Sequence, residues 1–166
     1  SVLENLMMVP GNQSGEKLIN AIFKPSLIAT EENLIKEKAK EVAEFLNLSH
    51  LSNEFAGNLS GGQKKLLELG RTMMVDAKLV LLDEVGAGVN RTLLKDLGTA
   101  IEKLNREKGY TFCMIEHDMD FIGRLCDPVI VMAEGSVLFE GSVEDAKKDE
   151  KVIESYLGRG SKLKDN

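Results

Sequence analysis

The stretch from residue 59 to residue 90, LSGGQKKLLELGRTMMVDAKLVLLDEVGAGVN, constrains the fold more than any other part of the chain. A glycine-rich turn opens a helix that is predicted to end near Val75, and the apolar run at residues 78–82 is typical of a buried parallel strand. That run is followed by two adjacent carboxylates, Asp83 and Glu84. The pattern indicates an α/β layer with polar groups at the carboxyl edge of a parallel sheet, where ligands of such folds bind.

The turn before the helix combines a capping signal with a pair of glycines. Ser60 and Gln63 have the spacing of a capping box, which by itself would explain both residues. Capping does not explain Gly61 and Gly62, because glycine is poorly suited to the first turn of a helix. Bare N–H groups at the positive end of a helix form a natural anion site. We therefore predict that this turn binds phosphate.

The carboxylates and a histidine are the other candidates for chemistry. Asp83 suits Mg²⁺, directly or through water, which leaves Glu84 to orient or deprotonate an attacking water molecule. Taken alone, the pair is open to a second interpretation, since acidic residues often end strands by capping the next turn. His117 follows a second predicted strand, residues 110–115, so we expect it at the same sheet edge. A neutral imidazole there could donate a hydrogen bond to a terminal phosphate.

The rest of the chain is predicted to be helical before residue 75 and mixed after it. Thr30 is the expected N-cap of an amphipathic helix, Asn90 is the expected N-cap of the helix at 91–108, and Gly109 ends that helix. The remaining predicted helices are residues 1–9, 17–24, 30–48, 118–126, 142–147 and 150–157. The remaining predicted strands are residues 129–132 and 136–139, which form a hairpin.

Composition narrows the function classes. The net charge of -6 and the pI of about 5.1 argue against nonspecific nucleic-acid binding. Cys113 and Cys126 lack metal or redox spacing and are expected to be buried, reduced thiols. No apolar run approaches the ~20 residues that a membrane span needs, so any membrane role is expected to come through a partner.

Together these motifs resemble those of an ABC-transporter ATPase subunit. The signature motif corresponds to residues 59–63, the Walker B strand to 79–84, the D-loop to 86–90 and the switch histidine to His117. The runs AGVN at 87–90, IEHDM at 115–119 and ESYLG at 154–158 look closest to the branched-chain amino acid importers of this family. The resemblance extends from residue 1 to about residue 158.

The resemblance implies a fold and a division of the chain. The expected fold class is α/β, a partial P-loop NTPase core of the ABC type with parallel strands, a C-terminal β-hairpin and an N-terminal helical subdomain. Residues 1–75 would form the helical subdomain, which ends in the signature helix. Residues 76–158 would form the second half of the catalytic core, and residues 159–166 a mobile tail.

The resemblance also implies ATP and Mg²⁺ as cofactors and a role for each motif residue. Asp83 would position Mg²⁺, Glu84 would activate water and His117 would hold the γ-phosphate. The residues implied to contact ATP held by an opposite subunit, or to lie in the same motifs, are Leu59, Ser60, Gly61, Gly62, Gln63, Gly88 and Asn90. The implied partners are membrane permease subunits and a second nucleotide-binding subunit. The implied location is cytoplasmic, peripheral to the inner face of the plasma membrane.

Some family features are not found in this sequence. Val85 stands where the family often has proline, a difference that we expect to be tolerated. The near match to a phosphate loop at residues 57–64 has its lysine one position late and no strand before it. The family's phosphate loop, adenine-stacking aromatic and glutamine loop are expected upstream of Ser1. We therefore expect the C-terminal two-thirds of a nucleotide-binding domain, inactive alone and prone to self-association through unpaired sheet edges.

Two other functions remain open at this stage. A DNA-repair or chromosome-maintenance ATPase of the same superfamily shares the glycine signature and the Asp-Glu pair. The acidic composition and the lack of coiled-coil heptads argue against it. The second is a truncated interaction module that docks on a permease or on a full-length subunit without catalysis.

Overall fold

The computed structural model describes residues 1–75 and 77–161, with side chains described as far as Ser155. The helices are α1 Val2–Met7, α2 Leu18–Phe23, α3 Pro25–Phe45, α4 Gly61–Met74, α5 Arg91–Lys108, α6 Met119–Leu125, α7 Val143–Ala146 and α8 Glu150–Ser161. The strands are β1 Leu79–Asp83, β2 Thr111–Ile115, β3 Val129–Ala133 and β4 Ser136–Gly141. Short 3₁₀ turns lie at Ser14–Glu16, Ser49–Leu51 and Ala56–Asn58.

The chain forms two compact units, residues 1–113 and the residues from Met114 onward. In the first unit, α1, α3 and α4 pack on one another, and α4 also packs on α5. A Cβ on Gly70 of α4 would lie 2.8 Å from Leu46 Cδ1 and 3.1 Å from Leu6 Cδ2, so glycine permits this close packing. The predicted domain boundary at residue 75 marks the end of the helix that carries the signature motif, whereas the two compact units divide after residue 113. The predicted boundary stays a prediction.

The expected α/β fold class is confirmed. β1 and β2 form a parallel pair, whereas β3 and β4 form a separate antiparallel hairpin. The backbone N–H of Thr111 donates to the Lys78 carbonyl at 2.8 Å, which ties the start of β2 to the residue before β1. Parallel pairing brings the carboxyl ends of β1 and β2 to the same edge of this sheet.

The long helix of the N-terminal part starts earlier than predicted. Thr30 is not its N-cap, because α3 begins at Pro25. Proline is favoured at the first helical position, where its fixed φ suits the helix and its missing N–H leaves no donor unsatisfied. Thr30 lies inside the helix, and its hydroxyl donates to the Ser26 carbonyl at 2.9 Å. α3 ends at Phe45, before the predicted end at residue 48.

The strands of the parallel pair are less buried than predicted. Only Val80 of β1 is buried, and the exposed fractions of Leu81 and Ile115 are 72% and 64%. Cys113, predicted to be a buried thiol, is exposed in β2, whereas Cys126 is half-buried with its Sγ 3.8 Å from Met114 Sδ. Alternate residues of a strand point to opposite faces. Leu79 and Leu81 therefore share one face of β1, and both are exposed.

The second unit is built around the predicted hairpin. Glu134 and Gly135, with φ of 49° and 77°, form the tight turn between β3 and β4. Val129, Val143 and Ala146 are its buried core. α8 runs to Ser161, so residues 159–161 of the predicted mobile tail are helical, and residues 162–166 lie outside the described residues. Over the described residues, no helix has the length and apolar character that crossing a bilayer requires.

Candidate functional site

The predicted capping box is present at the start of α4. The N–H of Gln63 donates to Ser60 Oγ at 3.3 Å, and the N–H of Ser60 donates to Gln63 Oε1 at 2.9 Å. The N–H of Lys64 donates to the Ser60 carbonyl, as in a regular helix. The first N–H groups of a helix have no partner within it. The cap therefore leaves those of Gly61 and Gly62 for an acceptor outside the helix.

Gly62 has a packing role that the sequence did not reveal. A Cβ at this position would lie 2.5 Å from Leu93 Cδ1 and 2.8 Å from Leu93 Cβ, far inside contact distance. Gly62 is buried, because the first turn of α5 crosses directly over it. The absence of a side chain at Gly62 therefore has a structural reason that does not involve phosphate.

Gly61 differs from Gly62 in its surroundings. It is exposed, and the nearest atom to a Cβ built there would be the Gly88 carbonyl oxygen at 3.8 Å, an ordinary contact. Packing therefore does not require glycine at this position. The contact also shows that the turn at 59–63 and the loop at 86–90 lie side by side. Gly61 is thus the member of the pair for which packing gives no reason for a glycine, and its role in phosphate binding stays a prediction.

The acid pair lies at the end of β1 and in the loop that follows. Asp83 is the last residue of the strand, and both Asp83 and Glu84 are exposed. Glu84 has a φ of 47°, which is uncommon for a residue other than glycine and recurs at functional sites. The N–H of Ala87 donates to the Glu84 carbonyl at 3.1 Å, and buried Val85 anchors the loop beneath. The loop thus holds the Glu84 carboxylate toward solvent.

The same loop leads into α5 through the predicted cap. Asn90 Oδ1 accepts a hydrogen bond from the N–H of Leu93 at 2.9 Å, and Gly88 has a φ of 71°. Gly88 therefore occupies a backbone conformation that favours glycine. Leu93 also covers Gly62. The segment from Asn90 to Leu93 therefore ends the loop at 86–90 and packs against the start of α4.

A cavity of about 190 Å³ opens beside Asp83, between β1 and α4. Its polar lining includes Lys65, Glu68 and Thr72, and its apolar lining includes Leu81. Lys65 Nζ lies 3.4 Å from Glu68 Oε2 across one turn of α4. The described residues contain no cluster of three or more metal-ligating side chains, so a cation at Asp83 would need further ligands from water or substrate.

His117 lies in the second unit, between β2 and α6. Its side chain is 72% exposed, and its Nδ1 lies 4.0 Å from Glu116 Oε2, whose side chain is 1% exposed. Asp118 Oδ1 accepts hydrogen bonds from the N–H groups of Asp120 and Phe121 at 3.0 Å and thereby caps α6. The expectation that His117 meets the acid pair stays a prediction.

Two supporting residues escaped the sequence reasoning. Leu93 determines why Gly62 is glycine, and Glu116, whose side chain is 1% exposed, stands next to the candidate histidine. The helical spacing of Leu93, Leu97 and Leu104 marks α5 as amphipathic, but it cannot reveal which residue α5 covers. For Glu116 the sequence holds no such signal, because a charged residue directly after a strand is expected to be exposed.

Comparison with known proteins gives the geometry a family context. The family model described as ABC transporter matches residues 7–87. A probable branched-chain amino acid transport ATP-binding protein, LivG, of Archaeoglobus fulgidus is 44% identical over 158 residues, which are 95% of this chain and 60% of that protein. The corresponding LivG of Methanocaldococcus jannaschii is 41% identical over 162 residues, 95% of this chain and 62% of that protein.

Solved structures agree with these relatives. The structure of a nucleotide-free ATP-binding cassette from an ABC transporter has a TM-score of 0.76 and 39% identity, and the match covers 94% of this chain and 62% of that one. A putative metal-chelate type ABC transporter, at 20% identity and a TM-score of 0.74, shares the fold. The chain spans about 60% of the length of the curated relatives that it matches.

Proposed function

Since the chain belongs to the family of ABC-transporter ATP-binding cassettes, we propose that it is part of a subunit that hydrolyses MgATP to drive import of branched-chain amino acids. Curated relatives at 44% and 41% identity are named as ATP-binding proteins of branched-chain amino acid transport. Family membership accounts for the α/β fold and for the order of the motifs. Because the match spans only part of each relative, the activity, solute and partners of the whole protein are proposals.

The proximity of Gly61 to the Gly88 carbonyl carries this proposal. It brings the exposed glycine turn and the loop that follows the acid pair onto one surface of the first unit. In our proposal this surface faces a second nucleotide-binding subunit. Ser60, Gly61 and Gly62 present hydroxyl and N–H donors to the γ-phosphate of ATP bound there.

The neighbours of these donors support the same surface. Buried Leu59 anchors the turn, and Gln63 closes the capping box that fixes its backbone. Gly88 and Asn90 fix the backbone of the loop at 86–90, which in our proposal also faces the second subunit. By fixing the backbone these residues would hold the donors in place, and preorganised donors stabilise phosphate charge.

The groups at the end of β1 fit the cofactors. Asp83 is exposed and supplies a carboxylate oxygen of the kind that Mg²⁺ prefers, and Mg²⁺ bound with ATP would neutralise phosphate charge. Glu84 is held toward solvent by its turn, as a base that accepts a proton from water requires. His117, 72% exposed, would donate a hydrogen bond to a γ-phosphate oxygen.

We infer membrane permease subunits and a second nucleotide-binding subunit as partners, with the protein on the cytoplasmic face of the membrane. The 166 residues contain no Gly-x-x-x-x-Gly-Lys-Ser/Thr phosphate loop. We therefore expect them to hydrolyse MgATP weakly or not at all by themselves. We also expect self-association through the unpaired sheet edges, and the strands concerned carry exposed apolar side chains, Leu81 at 72% and Ile115 at 64%.

A chimera tests the proposal. The part of the Archaeoglobus fulgidus LivG that this chain does not match is joined to the 166 residues, and phosphate release from MgATP is measured. We expect the chimera to hydrolyse ATP and the Glu84→Gln variant to lose about 100-fold or more, the usual worth of a general base.

The matched control is Glu107→Gln, which removes the same charge from an exposed position of α5. It should retain full activity. Hydrolysis that survives Glu84→Gln unchanged would refute the role of Glu84. Hydrolysis by the 166 residues alone that Glu84→Gln abolishes would contradict the expected inactivity of this part while supporting the acid pair.

A further inference from the structure

Leu93 connects the two segments that form the proposed nucleotide surface. It is the third residue of α5 and lies half-buried against the start of α4. A Cβ built on Gly62 would be 2.5 Å from Leu93 Cδ1 and 2.8 Å from Leu93 Cβ. The Leu93 side chain therefore fills the space that any residue other than glycine would need at position 62, and it packs directly on the turn at 59–63.

The backbone of Leu93 is attached to the other segment, the loop at 86–90. Its N–H donates to Asn90 Oδ1 at 2.9 Å, and the N–H of Leu94 donates to the Asn90 carbonyl at 2.9 Å. Asn90 is both the last residue of the loop and the N-cap of α5. The cap thus ties the first turn of α5 to the loop. A displacement of the loop moves the Leu93 backbone, and the Leu93 side chain passes that displacement to Gly62.

The contact between Leu93 and Gly62 also holds together two helix ends that electrostatics would separate. The N-terminal ends of α4 and α5 meet at this contact, and each carries partial positive charge. Neither first turn contains an acidic residue that would offset that charge. Close apolar packing is an attraction that opposes the repulsion. Loss of the Leu93 side chain should therefore allow the two ends to move apart.

We propose that Leu93 is a positioning residue that joins the turn at 59–63 and the loop at 86–90 into one rigid unit. Contact of the loop with a second subunit then also places the N–H donors of the turn. The inference rests on the proposed function, in which this surface faces a second nucleotide-binding subunit. Leu93 touches no phosphate in this proposal and acts through Gly62. Precise placement matters because a displacement of ~1 Å can cost about 100-fold in rate.

Selective ¹⁵N labelling of glycine in the 166-residue chain tests the connection without nucleotide. Asn90→Ala frees the Leu93 N–H from its cap, and we expect the amide resonance of Gly62 to shift or broaden in this variant. In a Leu93→Ala background, the same change at Asn90 should leave the Gly62 resonance where Leu93→Ala alone places it. Gly109, at the far end of α5, provides a reference resonance that should not move.

ATP hydrolysis by the chimera with the LivG part tests the consequence for function. We expect Leu93→Ala to lower kcat about 10- to 100-fold, while the affinity for MgATP and the number of nucleotides bound per chain stay unchanged. Unfolding of part of the sample would lower the number bound, so this combination distinguishes displaced donors from lost structure. Leu93→Met refills the space over Gly62 and should restore most of kcat.

Leu94→Ala is the matched control, because Leu94 is the same side chain one position further along α5 and is also half-buried. It should lower stability in urea without changing kcat. If Leu93→Ala does not fold, Leu93→Val takes its place. Valine keeps the Cβ but lacks the Cδ1 atom, which lies nearest to the position of a Gly62 Cβ.

A Gly62 resonance that responds to Asn90→Ala equally in both backgrounds would overturn the proposal. So would an unchanged kcat in Leu93→Ala or an equal loss of kcat in Leu94→Ala. A chimera that depends on Glu84 but not on Leu93 would refute the role of Leu93 and leave the proposed function standing. A chimera without ATP hydrolysis would count against the proposed function, and the Gly62 resonance would still decide the role of Leu93.

Discussion

Replacing Gly62 with alanine tests whether close packing explains this glycine. The added Cβ would lie 2.5 Å from Leu93 Cδ1, 2.8 Å from Leu93 Cβ and 3.0 Å from Leu93 Cγ. A rotamer change of Leu93 can move its Cδ1 and Cγ away, but Cβ is fixed to the backbone. Relief of the 2.8 Å contact therefore requires the start of α4 and the first turn of α5 to separate.

The expected cost follows from two opposing effects. Overpacking in a well-packed region costs about 1–3 kcal/mol. Alanine is favoured over glycine by up to about 1 kcal/mol in a helix interior, and less of this gain applies in the first turn. We therefore expect Gly62→Ala to lower the free energy of unfolding by about 1–2 kcal/mol, which for a chain of this size lowers Tm by roughly 2–8 °C.

Urea unfolding followed by circular dichroism measures this change, with Gly61→Ala as the matched control. A Cβ on Gly61 meets only the Gly88 carbonyl oxygen, at 3.8 Å, so stability should stay within about 0.5 kcal/mol of the unmodified chain. In a Leu93→Ala background the cost of Gly62→Ala should shrink, because two of the three close contacts are removed. Equal stability of Gly62→Ala and Gly61→Ala would refute the packing argument.

Three further predictions concern other parts of the chain. Asn90→Ala removes the N-cap of α5, so it should lower the free energy of unfolding by about 1 kcal/mol in the same urea assay, whereas Asn90→Gly should lose only a few tenths. The pKa of Glu31 is lowered in the folded state by the hydroxyl and N–H of Ser14, so the stability that this contact contributes is present above the ordinary value of 4.5 and lost as pH falls through the folded pKa. Thermal unfolding from pH 7 to pH 3 should therefore show a smaller loss of Tm at low pH in Ser14→Ala, and an identical pH dependence would contradict the assignment. Light scattering should show self-association that weakens in Leu81→Lys/Ile115→Lys, and a monodisperse monomer of the unmodified chain would count against association through these strands.

The sequence predicted the elements whose ends carry explicit signals. The capping box fixed the start of α4, Asn90 fixed that of α5, and Gly109, with a φ of 70°, ended α5 at the predicted residue. The start of α3 was missed because Thr30 before two glutamates also has the pattern of a helix start. Pro25 lies between the predicted helices at 17–24 and 30–48 and occupies the first position of α3.

Burial of the parallel strands could not be predicted from their composition. An apolar run such as residues 79–82 has the same pattern whether or not other elements cover both faces of its sheet. The structure shows a buried Val80 beside an exposed Leu81, a difference that depends on the packing around the strand and not on the run itself. The predicted self-association therefore draws its support from the exposure of these side chains in the structure and not from the sequence.

The paired glycines show how far motif reasoning extends. From the sequence alone, the case for phosphate binding is the same for Gly61 and Gly62, because neither residue places a side chain in the first turn of the helix. In the structure Gly62 is required by Leu93, while Gly61 is exposed and sterically unconstrained. If phosphate recognition explains Gly61, Gly61→Ala should preserve stability and weaken ATP hydrolysis in the chimera. Because Gly62→Ala should reduce both, only the change at Gly61 can separate the function of the motif from its packing.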